Sequence, residues 1–97
     1  MSVLVLIDFH VKPEKISDVK ALLANSLPDT RAFDGCQWVD VYANADDPSN
    51  MVFVESWDSR SQHEKYAAWR HETGFGETFN PMLTGPLTKR FFEKVDV

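Results

Sequence analysis

The sequence predicts an α+β fold of the ferredoxin-like type, in which two helices cover one face of a four-stranded antiparallel sheet. Four runs rich in β-branched and aromatic residues alternate with two helical segments in the order β-α-β-β-α-β. The length of 97 residues suits one domain, 1–97, with a single modest core. The formal net charge of -5 is spread over interspersed acidic and basic residues, which argues against nucleic acid or an anionic membrane as a partner.

The first half of the chain contains one strand and one helix. The strand covers residues 3–11, a dense β-branched and aromatic run that ends before Pro13. Apolar residues then recur at helical intervals, which predicts a helix over about 14–26. Pro28 is expected to end or kink that helix, and the segment 29–34 has room for another short helical turn.

The second half of the chain contains a hairpin, a helix and a last strand. Gly35 resets the backbone before a strand over 37–42, where polar and apolar residues alternate. Residues 44–50 form a loop by composition, and a third strand over 51–57 pairs with the second as an antiparallel hairpin. Ser59 is a good N-cap for the second helix. After that helix the pattern predicts a short helical piece over 77–83 and a final strand over 87–95.

Both faces of the predicted sheet carry apolar residues. In the first strand Leu4 and Leu6 point to one face, and in the last strand Phe91 and Phe92 lie on opposite faces. A sheet with one solvated face would not show this pattern. We therefore expect a second copy of the chain to cover the outer face. The first-strand residues on the inner face are Val3, Val5, Ile7 and Phe9.

The sequence contains no evident membrane, disulfide or metal motif. The opening apolar run, 3–7, is too short for a secretory segment or a membrane span, which predicts a cytoplasmic protein. Cys36 is the only cysteine, so it has no intrachain disulfide partner, and no Cys or His spacing matches a zinc site. Asp46 and Asp47 lack the ligand spacing of a calcium site. We therefore predict no metal.

The segment 55–71 is rich in polar aromatic and basic residues, with two His, two Trp, one Tyr and two Arg. An ordinary packing helix would be more apolar. We therefore place the candidate functional residues on the second helix. On a helical wheel, Gln62, Tyr66, Trp69 and Thr73 share one narrow stripe, and His63 and Arg70 lie on its shoulder.

The wheel places His71 well round the helix from Tyr66. A cavity over the Tyr66 stripe would therefore reach His71 only if the helix end bends near Gly74. Histidine is the side-chain type best suited to take a phenolic proton near neutral pH. The pattern does not decide which of His10, His63 and His71 faces a cavity.

Several of these residues also have a purely structural interpretation. Tyr66 and Trp69 are three residues apart on a helix, a spacing that is common for core aromatics. His63 can serve in surface or interface hydrogen bonds. We interpret Glu55 as a structural residue that pairs with a basic group in another strand, such as Arg90.

Four short motifs occur in the order, and near the spacing, of one known family: 11–13, 35–36, 46–48 and 55–59. Through them the chain resembles the antibiotic biosynthesis monooxygenase family, small proteins of the dimeric α+β barrel group, over nearly all of its length. The resemblance implies a homodimer whose sheets face each other, with a ligand cavity in each subunit between the sheet and the helices. Members include oxygenases of quinols and polycyclic phenols that need no metal or flavin, and haem-degrading enzymes.

The chain departs from the family pattern at informative positions. Many relatives carry a His where this chain has Tyr66, while a second family His falls at His71. The haem-degrading branch uses an Asn, a Trp and a His at positions that here hold Ile7, Tyr66 and Gly76. None of the three matches, so we do not expect haem degradation.

The resemblance favours cofactor-independent oxygenation of a quinol or polycyclic phenol by dioxygen. His71 and Tyr66 are the candidate catalytic residues. Two alternatives stay open: a small-molecule-binding dimer without catalysis, and a non-oxidative isomerase or cyclase on the same barrel. The candidate substrate-binding residues are Trp69, Gln62, His63 and Arg70.

Overall fold

A computed structural model describes residues 2–97 of the chain. Four strands and two main helices occur in the predicted β-α-β-β-α-β order, with one further short helix before the last strand. Within the described residues no helix is both long enough and apolar enough to cross a membrane. The elements are β1 Val3–His10, α1 Ile16–Ala32, β2 Cys36–Asn44, β3 Asp47–Trp57, α2 Arg60–Glu72, α3 Phe75–Phe79 and β4 Thr88–Phe92.

The strands form one antiparallel sheet in the order β2-β3-β1-β4, which is the ferredoxin-like arrangement. The inner face of β1 carries Val5 and Phe9, and both are fully buried. The Phe9 ring lies 4.7 Å from the ring of Phe53 on β3 and 5.3 Å from that of Phe79 on α3. Val19 of α1 packs into the same core. The core therefore lies between the sheet and one layer of helices, as predicted.

The outer face of the sheet is also apolar, as the sequence predicts. Leu6 of β1 lies opposite Val54 of β3, and both are half-buried although the helices lie on the other face. On the flanking strands Trp38, Tyr42 and Phe92 are 43%, 57% and 39% exposed on this same face. Large aromatic side chains exposed on one continuous face indicate a surface that another molecule covers.

The predicted end of the first helix is wrong. α1 runs through Pro28 to Ala32 instead of ending near Ser26. Pro28 has no backbone N–H, so the carbonyl four residues earlier loses its helical partner. A contact from α2 holds the last turns in place, since the Arg70 guanidinium donates to the Ser26 carbonyl oxygen at 2.7 Å and to Thr30 Oγ1 at 2.8 Å. Tertiary hydrogen bonds thus extend the helix past the residue at which the local sequence would end it.

Two further predicted boundaries differ from the structure. The loop predicted over 44–50 is a tight turn, because β2 continues to Asn44 and β3 begins three residues later. Asn44 Oδ1 accepts a hydrogen bond from the backbone N–H of Asp46 at 2.9 Å, which closes the turn. The helical piece predicted over 77–83 begins earlier, at Phe75.

The start of α2 is confirmed, whereas the last strand is shorter than predicted. Ser59 is the N-cap, and its Oγ accepts a hydrogen bond from the backbone N–H of Gln62 at 3.2 Å. The last strand is Thr88–Phe92 instead of 87–95. The chain therefore enters α2 where the local capping signal places it.

Gly35 joins α1 to β2 with φ of +94°, a conformation that other residues rarely adopt. A Cβ at this position would lie 2.7 Å from Cδ of Gln62. We expect Gly35→Ala to lower the free energy of unfolding by about 1–3 kcal/mol. Gly85→Ala is the matched control, because a Cβ there meets no atom within 4 Å. Urea denaturation followed by circular dichroism measures both variants, and equal midpoints would contradict this expectation.

Candidate functional site

A cavity of about 220 Å³ lies between the inner face of the sheet and the three helices. Its apolar wall includes Ile7 of β1, Leu23 of α1, Phe53 of β3 and Phe79 of α3. An apolar cavity with a few polar groups is the usual form of a small-molecule site. The polar side chains on its wall are Ser26, Thr30, Glu55, His63, Tyr66, Arg70, His71, Asn80 and Lys89.

The face of α2 that borders the cavity lies roughly a quarter turn from the stripe that the helical wheel favours. The axis of this face passes through His63 and Arg70, the predicted shoulder, and Tyr66 lies at its edge. Gln62 and Trp69 do not line the cavity that the described residues form. The α2 residues on the wall are His63, Tyr66, Ala67, Arg70 and His71.

Trp69 and Gln62 pack against the connection between α1 and β2. The Trp69 ring lies 5.5 Å from the ring of Phe33, and the Arg70 guanidinium lies 4.8 Å from the centre of the Trp69 ring. The Gln62 side chain donates from Nε2 to Asp34 Oδ2 at 3.4 Å, and its Oε1 accepts a hydrogen bond from Ser59 Oγ at 2.9 Å. These contacts fix the rotation of α2 about its axis, and so determine which of its residues face the cavity.

Thr30, Tyr66 and Arg70 form a hydrogen-bonded cluster between α1 and α2. The Tyr66 hydroxyl lies 2.7 Å from Thr30 Oγ1. Arg70 donates to both groups, from Nε to the Tyr66 hydroxyl and from Nη2 to Thr30 Oγ1, each at 2.8 Å. The two hydroxyl groups carry two protons, and only one of these can lie between them. The other has no acceptor among the described residues, so it can be donated to a ligand.

Tyr66 remains protonated at neutral pH. Burial raises the pKa of its hydroxyl, and the hydrogen bonds from Arg70 and Thr30 offset this effect only in part. Tyr66 can therefore donate a hydrogen bond to a ligand oxygen, whereas it is poorly suited to accept a proton from one. A base in this cavity must be sought elsewhere on its wall.

Glu55 of β3 and His63 of α2 lie against each other at the buried end of the cavity. They are 3% and 1% exposed, and 3.6 Å separates Glu55 Oε1 from His63 Nε2. The Trp57 indole N–H donates to the same carboxyl oxygen at 2.8 Å. Burial raises the pKa of Glu55 and lowers the pKa of His63 to about 4. Burial thus makes the Glu55 carboxylate a stronger base than an exposed carboxylate, and it makes the His63 imidazole a weaker base than an exposed imidazole.

The interpretation of Glu55 as a partner of Arg90 is wrong. Arg90 lies opposite Leu6 of β1, and both belong to the outer face of the sheet. Lys89, one residue earlier, lies opposite Ile7 and lines the cavity. Its positive charge acts on Glu55 and opposes the effect of burial on the pKa of that carboxyl. Because side chains alternate between the two faces along β4, Lys89 and not Arg90 lies on the same face as Glu55.

His71 lines the cavity although α2 continues without a bend past this residue. The helix continues through Glu72, and the chain turns only afterwards, at Gly74. α3 then packs so that the cavity extends around the end of α2 to His71, which is exposed at the rim. His10 lies exposed on the outer face of the sheet, 3.8 Å from Asp8.

Sequence reasoning missed the site roles of Thr30, Glu55 and Lys89. Glu55 and Lys89 occupy inward positions of their strands, and a charged residue at an apolar position is a signal that could have identified them. Thr30 continues the inward spacing of Leu23 along α1. Because Pro28 was expected to end the helix, Thr30 was not recognised as an inward-facing helical residue.

Comparison with known proteins identifies the family. The profile of the family described as antibiotic biosynthesis monooxygenase matches residues 2–80. Rv0793 of Mycobacterium tuberculosis, a protein named as a candidate monooxygenase, is 29% identical over 94 residues, which cover 97% of this chain and 92% of that protein. The solved structure of Rv0793 has a TM-score of 0.86 at 28% identity, covering 100% of this chain and 98% of its own.

Two other solved structures have the same fold. A crystal structure of an antibiotic biosynthesis monooxygenase has a TM-score of 0.87 at 26% identity, covering 97% of this chain and 99% of its own. A conserved protein from Methanosarcina mazei Go1 has a TM-score of 0.90 at 19% identity over 98% and 94% of the two chains, a likeness in fold alone. Because the family profile spans most of its length, the chain belongs to the antibiotic biosynthesis monooxygenase family.

Proposed function

We propose that this protein is a monooxygenase that oxidises a quinol with dioxygen in this cavity, without a metal or organic cofactor. Membership of the family supports the reaction class. The observation that carries the proposal is the cluster of Thr30, Tyr66 and Arg70, which offers a hydroxyl proton and a positive charge to an otherwise largely apolar cavity. Such donors stabilise the negative charge that develops on a phenolic oxygen.

The size of the cavity favours a small substrate. A cavity of about 150 Å³ can hold one benzene ring. The volume of about 220 Å³ therefore suits one or two fused rings, and Leu23, Phe53 and Phe79 supply apolar contacts for them. We infer that the substrate class is a bicyclic quinol, such as 1,4-naphthohydroquinone, rather than a larger polycyclic phenol.

His71 and Tyr66 have opposite roles in the proposed reaction. His71 at the rim accepts the first hydroxyl proton, since an imidazole is suited to proton transfer near neutral pH. Tyr66 keeps its own proton and donates a hydrogen bond to the oxygen that becomes negative. Arg70 adds its positive charge at the same place, and His63 borders the ligand further inside.

The proposed reaction balances without a second reductant. Loss of one proton turns the quinol into an anion, which passes one electron to dioxygen. The two radicals combine and form a bond between a ring carbon and oxygen. The ring carbon then loses its hydrogen and the O–O bond breaks, so that one oxygen atom stays on the ring as a hydroxyl group and the other leaves as water. The two hydroxyl hydrogens of the quinol and this ring hydrogen supply the three hydrogens of the new hydroxyl group and the water. The quinol supplies all the electrons and becomes a hydroxyquinone.

We also infer that a second copy of the chain covers the outer face of the sheet. Trp38, Tyr42 and Phe92 are exposed there beside the half-buried Leu6 and Val54. Packing of two such faces removes their aromatic side chains from water. A two-fold pair is the simplest closed assembly of identical chains, and it gives the dimeric α+β barrel that the family resemblance implies.

The purified protein is expected to consume oxygen with 1,4-naphthohydroquinone and to release a hydroxyquinone with one atom from labelled dioxygen. Tyr66→Phe and His71→Gln each remove a group that acts on the transition state, so we expect each to lower kcat roughly 10²-fold or more. Affinity for 1,4-naphthoquinone, which cannot be oxidised in this way, should change little. An oxygen electrode, mass spectrometry of the product and fluorescence quenching measure these quantities.

Tyr42→Phe and His10→Gln are the matched controls, because they make the same chemical changes on the outer face. Both are expected to retain the turnover of the unmodified protein. Absence of oxygen uptake or of label in the product, with folded protein, would contradict the proposal. Product formed without oxygen would point to an isomerase or cyclase, and binding without turnover would point to a binding protein.

Val54→Arg is expected to convert a dimer, twice 11.1 kDa, into a monomer of 11.1 kDa. Val54 lies between Leu6 and Asp40 on the outer face, so the substitution buries an unpaired charge between subunits and leaves the core intact. Ala21→Arg, on the exposed side of α1, is the matched control. Size-exclusion chromatography with light scattering measures the mass. A dimer that survives Val54→Arg, or an unmodified protein that is already monomeric, would refute the inference.

A further inference from the structure

Glu55 and His63 are the most deeply buried ionisable side chains on the cavity wall. Oε1 of Glu55 accepts a hydrogen bond from Trp57, while Oε2 makes none within the described residues. Nδ1 of His63 is buried without a partner in residues 2–97, and Nε2 lies 3.6 Å from Glu55 Oε1. Unpaired polar atoms are costly in a core that serves packing alone. Because Glu55 and His63 also line the cavity, this pair is a candidate for contact with a ligand.

Aromatic rings hold the pair in place. The His63 ring lies 5.3 Å from the ring of Trp57 and 5.4 Å from that of Phe91, both in edge-to-face geometry. This enclosure limits the movement of the imidazole next to the carboxyl group. The titratable groups that interact electrostatically with the pair are Lys89 of β4, Cys36 of β2 and Tyr66 of α2. Arg70 and His71 of α2 line the same cavity, and the cavity-lining polar residues of α1 are the non-titrating Ser26 and Thr30.

We propose that the Glu55–His63 pair is a second proton acceptor, which takes the proton of the quinol hydroxyl at the buried end of the cavity. The proposal rests on the proposed function in one respect, since it needs a phenolic ligand in this cavity. The O–H bond of that hydroxyl breaks, its proton passes to the Glu55 carboxylate, and the electron pair stays on the quinol oxygen. Glu55 is the catalytic residue, while His63 and Trp57 are positioning residues that hold the carboxyl group at Oε1.

The two hydroxyl groups of a 1,4-quinol lie at opposite ends of one ring, so a single acceptor at the rim cannot reach both. His71 serves the exposed end, and the hydroxyl at the other end has only buried groups beside it. An ordinary carboxylate is a weak base toward a phenol. Burial raises the pKa of Glu55 and so narrows the gap between the pKa of this carboxyl group and that of a phenol. The lowered pKa of His63 keeps the imidazole beside it neutral.

Glu55→Gln tests the proposal, with 4-nitrophenol as a one-ring probe whose absorbance distinguishes the neutral form from the anion. The unmodified protein should bind a larger fraction of anion than free solution contains at the same pH. In Glu55→Gln the bound probe should stay neutral over that pH range, and kcat with 1,4-naphthohydroquinone should fall roughly 10²-fold with little change in KM. Glu64→Gln, the same change on the exposed side of α2, is the matched control.

His63→Gln is the second variant, and it guards against failure of Glu55→Gln to fold. It should shift the pH at which the bound 4-nitrophenol is half ionised, while binding of 4-nitroanisole, which cannot ionise, shows no such shift with pH. A residue that only fills space would not produce that difference. Circular dichroism confirms that each variant is folded.

The proposal is overturned if the unmodified protein fails to bind 4-nitrophenol. It is equally overturned if folded Glu55→Gln gives the same bound-probe spectrum and the same pH dependence of turnover as the unmodified protein. If Glu55→Gln abolishes ionisation of the probe while no quinol consumes oxygen, the proton acceptor is supported and the proposed oxygenase function fails. The two ideas are therefore separable in one set of measurements.

Discussion

The helix packing and the cavity both depend on the hydrogen bonds that Arg70 makes from α2 to α1. Its guanidinium donates to the Ser26 carbonyl oxygen, to Thr30 Oγ1 and to the Tyr66 hydroxyl. These bonds keep α1 helical past Pro28 and hold the two helices at a fixed separation, so that a space stays open between them and the sheet. A guanidinium suits this task because it is planar and presents several N–H donors in a fixed arrangement. The contact that completes the fold therefore also builds the polar part of the site.

The alternation of side chains in the sheet separates the site from the proposed interface. An inward position of β3 buries Glu55 among apolar neighbours, where the low local dielectric strengthens electrostatic effects, and an inward position of β4 places the exposed Lys89 on the cavity wall. Outward positions carry Trp38, Tyr42 and Phe92, which have no role in the cavity. Assembly through the outer face therefore leaves the inner face free for a ligand. Substitutions on one face should have little direct effect on the other.

Local patterns predict the element order, the two apolar faces of the sheet and the N-cap at Ser59, because each depends on residues a few positions apart. The end of α1 was not predictable in this way, since Arg70, which contacts the turns on either side of Pro28, is distant in sequence. The cavity face of α2 was mispredicted for a related reason. A helical wheel gives the angles between residues, but the rotation of the whole helix depends on how Trp69 and Gln62 pack against the α1–β2 connection.

Tyr66 changes the chemistry that this part of the cavity can support. Where the family resemblance implies a histidine, this chain has a hydroxyl whose pKa burial raises, so this position is suited to donate a hydrogen bond and poorly suited to remove a proton. In the proposed reaction the proton acceptors therefore lie elsewhere on the wall, with His71 at the rim and Glu55 at the buried end. The chain carries a net charge of -5, yet the cavity wall bears Arg70 and Lys89 against one carboxyl group. The cavity therefore has a local positive potential that would stabilise an anion, although the whole chain is negatively charged. In the proposed reaction the groups that hold the charged substrate therefore keep their protons, and proton transfer is confined to side chains at the two ends of the cavity.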